Sequence, residues 1–283
     1  MQIKKAVVTA AAKSQRTLPM QMLIDEHGVE RSVLSIIVRE AVRAGVEEIC
    51  VVVHPGDAEA YSKLVEEVGG RVRFIEQREA RGYGHAVWCA RDFTGKDAFL
   101  HLVGDHVYVG EGSKGCAQEL VEAAANEDCA VSAVQVTREN LLPYFGTVAG
   151  QRVAGKPALY RVDTVIEKPS PTEAEQRLVV PGLRSGQYLC FYGLHVLTPA
   201  VMELLSERAA DPGATRITLS EALAELARRE HYLALVQAGH RFDIGVKYGL
   251  FYSQLALALA GDDRDRVLGD LLEVVATRGM VPA

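Results

Sequence analysis

Apolar residues recur along this chain in two alternating rhythms. Ala6 to Ala12 is a short, largely apolar run that predicts a buried first strand. The basic and polar stretch Lys13 to Thr17 follows as a turn. Across Ser32 to Ala44, the residues Val33, Ile36, Ile37, Ala41 and Ala44 keep the three-and-four spacing of one helix face. Ile49 to Val53 is a second strand-like run, closed by a turn at His54-Pro55-Gly56-Asp57. Strand, helix and strand make a βαβ unit, and open sheets of such units bind ligands beyond the carboxyl ends of their strands. The segment Ala10 to Pro19 is therefore the expected nucleotide loop.

The alternation continues. Ala58 to Val68 reads as a helix, with Ala60, Leu64 and Val68 spaced by fours, and Val72 to Ile75 as a strand. A helix begins near Gly84 to Arg91, a buried strand covers Ala98 to Val103, a helix Glu119 to Asn126, and a strand Ala130 to Val136. This order predicts a mostly parallel sheet with helices on both faces. After Asn140 the pattern shortens: strands are expected at Gly146 to Ala149, Val162 to Glu167 and Tyr188 to Val196, with a short helix at Glu173 to Arg177. Pro199 to Glu207 and Leu219 to Glu230 are amphipathic helices, Leu233 to Gln237 a last strand, Gly239 to Gly245 a turn, and Tyr248 to Ala260 and Val267 to Arg278 closing helices.

Length and composition narrow the picture. At 283 residues the chain is long for one core, so one α/β domain with an appended subdomain is expected. Its net charge of −6, with no basic block, argues against nucleic acid as a partner but leaves room for one nucleotide held by two or three cations. The five cysteines form no CxxC pair and read as buried, reduced thiols. No signal-peptide pattern or bilayer-length apolar run is present, so a cytoplasmic protein without a membrane partner is expected.

Four stretches carry candidate chemistry. Asp105, in Leu102-Val103-Gly104-Asp105-His106, follows a buried strand and stands where a carboxylate can hold Mg²⁺ on a phosphate; a turn or cap aspartate is the other reading. His106 either tunes that site or is simply packed. Asp243, in Phe242-Asp243-Ile244-Gly245, is a second carboxylate with a capping alternative. The two make an oxygen clamp for Mg²⁺ only if both face one pocket. In Ile166-Glu167-Lys168-Pro169, Lys168 suits a sugar phosphate and Glu167 sugar hydroxyls, against the alternative of an exposed ion pair. Strand alternation, which sends neighbours to opposite faces, weakens that alternative. Between Gln77 and Ala90, Gly82 and Gly84 free the backbone to approach a ligand, and the Gln77 amide suits a base edge.

In this order the pieces resemble the sugar-nucleotide nucleotidyltransferases, most of all the bacterial UTP–glucose-1-phosphate uridylyltransferases. The resemblance rests on Gln77 with Gly82-Tyr83-Gly84-His85-Ala86-Val87, on Gly104-Asp105, Tyr144-Phe145-Gly146-Thr147-Val148, Ile166-Glu167-Lys168-Pro169, Tyr192-Gly193 and Asp243-Ile244-Gly245, and it spans Lys4 to about Leu259. It implies a Rossmann-like α/β fold with a mixed, mostly parallel sheet and a smaller β-rich sugar-binding subdomain. The nucleotide half would cover about residues 1–140, the sugar half about 141–260, and a C-terminal helix 261–283. It implies attack of a sugar 1-phosphate on the α-phosphorus of UTP, with UTP or a UDP-sugar as ligand, Mg²⁺ as cofactor and a homo-oligomeric assembly. Arg16 and Lys168 would be catalytic; Ala11, Ala12, Gln77, Gly82 and Asp105 would bind the nucleotide; Gly146, Glu167, Lys168 and Gly193 would bind the sugar; Asp105 and Asp243 would hold the metal.

One segment departs from that family. Its loop reads Gly-x-Gly-Thr-Arg, then a spacer, then Pro-Lys-Glu-Met-Leu. Here Ala12-Lys13-Ser14-Gln15-Arg16 runs almost directly into Pro19-Met20-Gln21-Met22-Leu23, without the spacer. Arg16 is kept, but Ala12 and Ser14 replace glycines, Met20 a lysine and Gln21 a glutamate. Loss of one preorganised charge contact costs about 3 kcal/mol, or roughly a hundredfold in rate. A catalytically weakened or inactive homologue that binds sugar nucleotide as a regulatory or partner subunit is thus the alternative to an active transferase. A Rossmann dinucleotide enzyme needs G-x-G-x-x-G after the first strand, and Ala10 to Gln15 contains no glycine.

Overall fold

The computed structural model describes residues 1–68 and 71–278. In chain order its strands are β1 (Lys5–Ala10), β2 (Met22–Ile24), β3 (Glu30–Ser32), β4 (Glu48–Val53), β5 (Arg71–Glu76), β6 (Phe99–Val103), β7 (His106–Val109), β8 (Ala130–Arg138), β9 (Gly146–Arg152), β10 (Leu159–Glu167), β11 (Gln187–Leu197), β12 (Tyr232–Val236) and β13 (His240–Asp243). The helices are α1 (Val33–Arg43), α2 (Ala58–Lys63), α3 (Tyr83–Cys89), α4 (Arg91–Thr94), α5 (Cys116–Glu127), α6 (Pro171–Arg177), α7 (Pro199–Ala210), α8 (Leu219–Arg229), α9 (Gly249–Ala260) and α10 (Arg264–Arg278).

Nine strands form one mixed sheet in the order β5-β4-β1-β6-β11-β8-β12-β10-β9. The first four run parallel, as βαβ connections require. Parallel pairing stops where β11 returns antiparallel between β6 and β8, and it recurs only between β8 and β12. The inner strands are apolar on both faces, so Val7, Val8, Val51 and Val52 are all fully buried. Alternation along β1 sends Ala6, Val8 and Ala10 into one core and Val7 into the other. Each core draws residues from both halves of the chain, including Val8 with Leu233 on one face and Val7 with Ala234 on the other.

Local signals account for most element ends. The Ser32 hydroxyl accepts from Ser35 N at 3.0 Å and starts α1, whose Leu34, Ile37, Val38 and Ala41 are buried. The expected helix from Ala58 to Val68 breaks after Lys63 and resumes as a tight turn at Glu66–Val68. The expected turn at Gly239 to Gly245 is instead mostly strand: β13 pairs antiparallel with β7, setting Asp243 opposite His106. Its residues His240, Arg241 and Asp243 are polar, and a two-stranded ribbon outside the main sheet leaves no alternating apolar signature. The β2–β3 hairpin was hidden for the same reason, because Ile24 and Met22 are exposed. Four cysteines are buried, Cys89 is half-buried, and none is bridged. No described helix is long and apolar enough to cross a membrane.

Candidate functional site

A cavity of about 690 Å³ opens where β1, β4, β5 and β6 end, lined there by Ala10, His54, Gln77 and Val103. Of the residues singled out by sequence, Ala11, Ala12, Gln77, Gly82, Asp105, Gly146, Glu167, Lys168 and Gly193 all line it. Asp243 is not in its lining but clusters with Asp105, which is, and Arg16 is outside the lining, its guanidinium bonded to Asp57.

The acidic end is built by the β7–β13 ribbon. Register sets Asp243 against His106, and Ile244 N donates to Asp105 O at 3.0 Å. Ligand atoms of Asp105, His106 and Asp243 thereby come within 4.8 Å of one another. Asp105 Oδ1 is 2.7 Å from His106 Nδ1, and Oδ2 accepts from Gln15 Nε2 at 2.9 Å. Burial alone would raise the Asp105 pKa; hydrogen bonds and charge from His106, with help from Gln15, outweigh it and hold the carboxyl below its ordinary value. Asp243 also serves its turn, its Oδ1 accepting from Gly245 N at 2.8 Å. His106, left between tuning and packing by the sequence, belongs to this cluster.

At the opposite end, Glu167 and Lys168 close β10. Strand alternation would separate them, but Lys168 leaves the strand at φ +48°, and both face the cavity. No ion pair joins them among the described residues. Glu167 Oε2 instead accepts from Ser220 Oγ at 2.5 Å. Gly146 makes room for this contact: a Cβ there would lie 2.7 Å from Phe191 Cδ2, 2.9 Å from Ser220 Oγ and 3.1 Å from Glu167 Oε2. Gly193, at φ +85°, sits in an irregularity of β11 between Phe191 and His195, and its carbonyl accepts from Tyr108 Oη at 2.9 Å.

Gln77 lies between these ends, its Nε2 3.1 Å from Gly82 O and 3.1 Å from His85 Nδ1. The two glycines of this loop do not simply admit a ligand. A Cβ on Gly82 would come 2.8 Å from Ile217 O, and one on Gly84 2.7 Å from Thr218 C. They let the chain's own segment before α8 press in, fixed by Gly84 N to Ile217 O at 2.9 Å and Ile217 N to Arg81 O at 2.7 Å. A glycine pattern in sequence does not say which backbone approaches.

The loop after β1 accommodates its side chains because it has no left-handed residue: Ala12 sits at φ −68°, and Lys13–Gln15 forms a single tight turn. Arg16 Nε donates to Asp57 Oδ2 at 2.7 Å, with a second bond from Nη2 to Oδ1, and Tyr61 Oη donates to Arg16 O at 2.6 Å. The Arg16 hydrogen bonds hold the Asp57 carboxyl below its usual range. Met20 is exposed, Gln21 Nε2 donates to Thr17 O at 3.2 Å, and neither uncharged side chain lines the cavity. Lys13 does line it.

Sequence reasoning missed two groups here. Arg241 on β13 lies with its guanidinium carbon 3.9 Å from the Phe145 ring centroid and donates to Phe191 O. Burial lowers its pKa, and it brings a cation into the cavity lining. The other is His195 on the cavity floor. Neither stands in a recognisable motif, and the stretch holding Arg241 reads in sequence as a turn.

The profile of the nucleotidyl transferase family matches residues 16–258. The UTP–glucose-1-phosphate uridylyltransferase of Streptococcus pneumoniae serotype 4 is 27% identical over 91% of this chain and 91% of its own length. A second such protein, UTP–glucose-1-phosphate uridylyltransferase 2 of Streptococcus pyogenes serotype M1, is equally similar, at 27% over 91% of each chain. Among solved structures, a UDP-glucose pyrophosphorylase from Acinetobacter baumannii superposes with a TM-score of 0.76 at 22% identity, covering 97% of this chain and all of that one. A UDP-glucose pyrophosphorylase complexed with UDP-glucose gives 0.72 at 21%, covering 90% and 98%. These likenesses extend the match to the whole fold.

Proposed function

Because the chain belongs to the nucleotidyl transferase family, we propose that it converts UTP and glucose 1-phosphate to UDP-glucose and pyrophosphate. The observation that carries this reading is the meeting of Asp105, Glu167 and Lys168 in one cavity, with Asp243 beside Asp105. The transferase names of its relatives favour a catalyst over a binding subunit.

In this reading uridine lies against Ala11, Ala12, Gln77 and Gly82, and the hexose against Gly146, Glu167 and Gly193. Lys168 holds the sugar phosphate so that one of its oxygens faces the α-phosphorus of UTP; a P–O bond forms there as the bond to pyrophosphate breaks. Glu167, anchored by Ser220, accepts from sugar hydroxyls. Positioning of this kind and charge complementarity supply most of the rate in phosphoryl and nucleotidyl transfer. Arg16 is a loop cation for the phosphates beside Lys13, and it has to exchange Asp57 for them.

Asp105, Asp243 and His106 form a mixed carboxylate and imidazole set that fits a divalent cation, for which we propose Mg²⁺ held by the two carboxylates. When bound it supplies charge neutralisation on the phosphates. A cytoplasmic setting belongs to the same reading and is supported by five unbridged cysteines. Assembly of copies does too, through exposed Phe251, Tyr252, Leu272 and Val275 on the last two helices; a monomer mass by light scattering would oppose that point.

Purified protein mixed with UTP, glucose 1-phosphate and Mg²⁺ should release pyrophosphate. No release, with UDP-glucose still bound in calorimetry, would overturn the transferase reading.

A further inference from the structure

Beneath the cavity lies a chain of buried polar side chains that the proposed reaction does not use. Tyr232 on β12, Ser132 on β8 and His195 on β11 are 1%, 0% and 2% exposed. Ser132 Oγ is 2.6 Å from Tyr232 Oη and 2.6 Å from His195 Nδ1. Two directions of donation are open to this relay, and they are not equivalent. If His195 Nδ1–H donated to Ser132 and Ser132 to Tyr232, the phenol proton would be buried with no acceptor, a costly arrangement. If Tyr232 donates to Ser132 and Ser132 to His195 Nδ1, every proton is placed. His195 is then the tautomer that carries its proton on Nε2.

That second nitrogen has no protein partner among the described residues, yet it is not sealed in. Among the described residues only Arg39 Nε and Gln237 Oε1 are fully buried side-chain polar atoms without a partner, so His195 Nε2 retains some accessible surface, and His195 lines the cavity. A residue packed between Phe191 at 5.1 Å and His101 at 5.7 Å, ring centre to ring centre, has little freedom to turn the donor elsewhere.

We propose that His195 is a ligand-binding residue whose Nε2–H donates to a hydroxyl oxygen of the bound nucleotide or sugar, with Ser132 and Tyr232 as positioning residues that fix the tautomer. This rests on the nucleotidyl-transfer reading above. The donor is itself uncharged, because burial pushes the imidazole pKa down to about 3, so it offers a neutral hydrogen bond of the kind a hydroxyl oxygen accepts. A hydroxyl of the hexose and one of the ribose share this chemistry.

The test is calorimetric titration with UTP and, separately, glucose 1-phosphate, on wild type, His195→Phe and His195→Gln. Loss of one neutral hydrogen bond predicts about tenfold weaker binding in His195→Phe, with part of the affinity restored by the amide donor of His195→Gln. Weakening confined to glucose 1-phosphate assigns the hexose hydroxyl, and weakening confined to UTP the ribose. Equal affinity of wild type and His195→Phe for both ligands overturns this proposal and leaves the parent reading intact. A wild type that binds neither ligand overturns both. The histidine nitrogen NMR spectrum of the unmutated protein needs no variant to fold: it should show Nε2 protonated and Nδ1 bare, with the Nε2 proton shifting on ligand addition. Ser132→Ala, which takes the donor away from Nδ1, should remove this preference and let the proton appear on Nδ1. An Nδ1-protonated His195 in wild type would also overturn the proposal.

Discussion

Gly146→Ala is the sharpest test of how the sugar end is built. The added methyl would stand 2.7 Å from Phe191 Cδ2, roughly 0.8 Å inside an optimal carbon–carbon contact of about 3.5 Å. It would also stand 2.9 Å from Ser220 Oγ and 3.1 Å from Glu167 Oε2. No backbone strain enters, because Gly146 lies in β9 without a positive φ. All of the cost is steric, of the size that overpacking brings, about 1–3 kcal/mol. Relief requires Phe191 to shift and Ser220 and Glu167 to move apart, and the second movement breaks their 2.5 Å hydrogen bond. If that displacement is felt in the transition state, kcat/KM for glucose 1-phosphate falls about 10- to 100-fold, while the KM for UTP is unchanged. Pyrophosphate release at varied glucose 1-phosphate reads this directly, and thermal unfolding separates it from loss of fold. Wild-type kcat/KM with a lowered melting point would show that Glu167 does not touch the sugar.

Three further perturbations bear on other parts of the molecule. Asp105→Ala should lower divalent-dependent turnover by about a hundredfold or more, and unchanged turnover would make Asp105 a turn residue only. Asp57→Asn removes the partner of Arg16. The folded Asp57 pKa is depressed, so its contribution is present above the unfolded value of about 3.9 and is lost as pH falls through the folded one. The gap in urea midpoint between wild type and variant should thus be full at neutral pH and close in acid; a gap constant with pH would refute the pairing. Gly193→Ala should cost about 1–3 kcal/mol in urea unfolding, because φ is +85° and the new Cβ would meet Val103 Cγ2 at 2.8 Å; a neutral result would mean that β11 straightens without loss.

Much of this was legible in the sequence where burial on both faces writes itself as an unbroken apolar run. The strands at Ile49 to Val53 and Ala98 to Val103, and the helix from Ser32, lie within a residue or so of their expected bounds. The ribbon of β7 and β13 was not legible, since a polar strand outside the main sheet has no periodic signal, and yet that ribbon brings Asp243 to Asp105. Lys168 at φ +48° could not be foreseen either, because left-handed backbone at a lysine has no compositional mark. Gly82 and Gly84 were recognised as sites of close approach, but the approaching backbone is that of Ile217 and Thr218.

The loop after β1 bears most directly on how fast such a site can run. Against the family pattern its sequence has Ala12 and Ser14 for glycines, Met20 for a lysine and Gln21 for a glutamate. Folded, the loop surrenders a further charge, because Arg16 is held by Asp57 outside the cavity lining. Two features work the other way. Gln15 reaches from the loop to Asp105 and so ties the loop's position to the acidic cluster. Arg241 brings a fixed cation from the ribbon, stacked on Phe145 and bonded to Phe191 O. A cation held this way loses little side-chain entropy when an anion arrives, whereas Arg16 must first give up two hydrogen bonds to a carboxylate. The cavity is lined by Lys13, Arg78, Lys168, Arg216 and Arg241, and not by Arg16, so under the proposed reading these cations stand nearer a bound phosphate than Arg16 does. On that ordering, Arg241→Gln should reduce UTP affinity more than Arg16→Gln does, in calorimetric titration of the two variants. The reverse order would mean that Arg16 leaves Asp57 readily and that the loop keeps the charge role its family resemblance gives it.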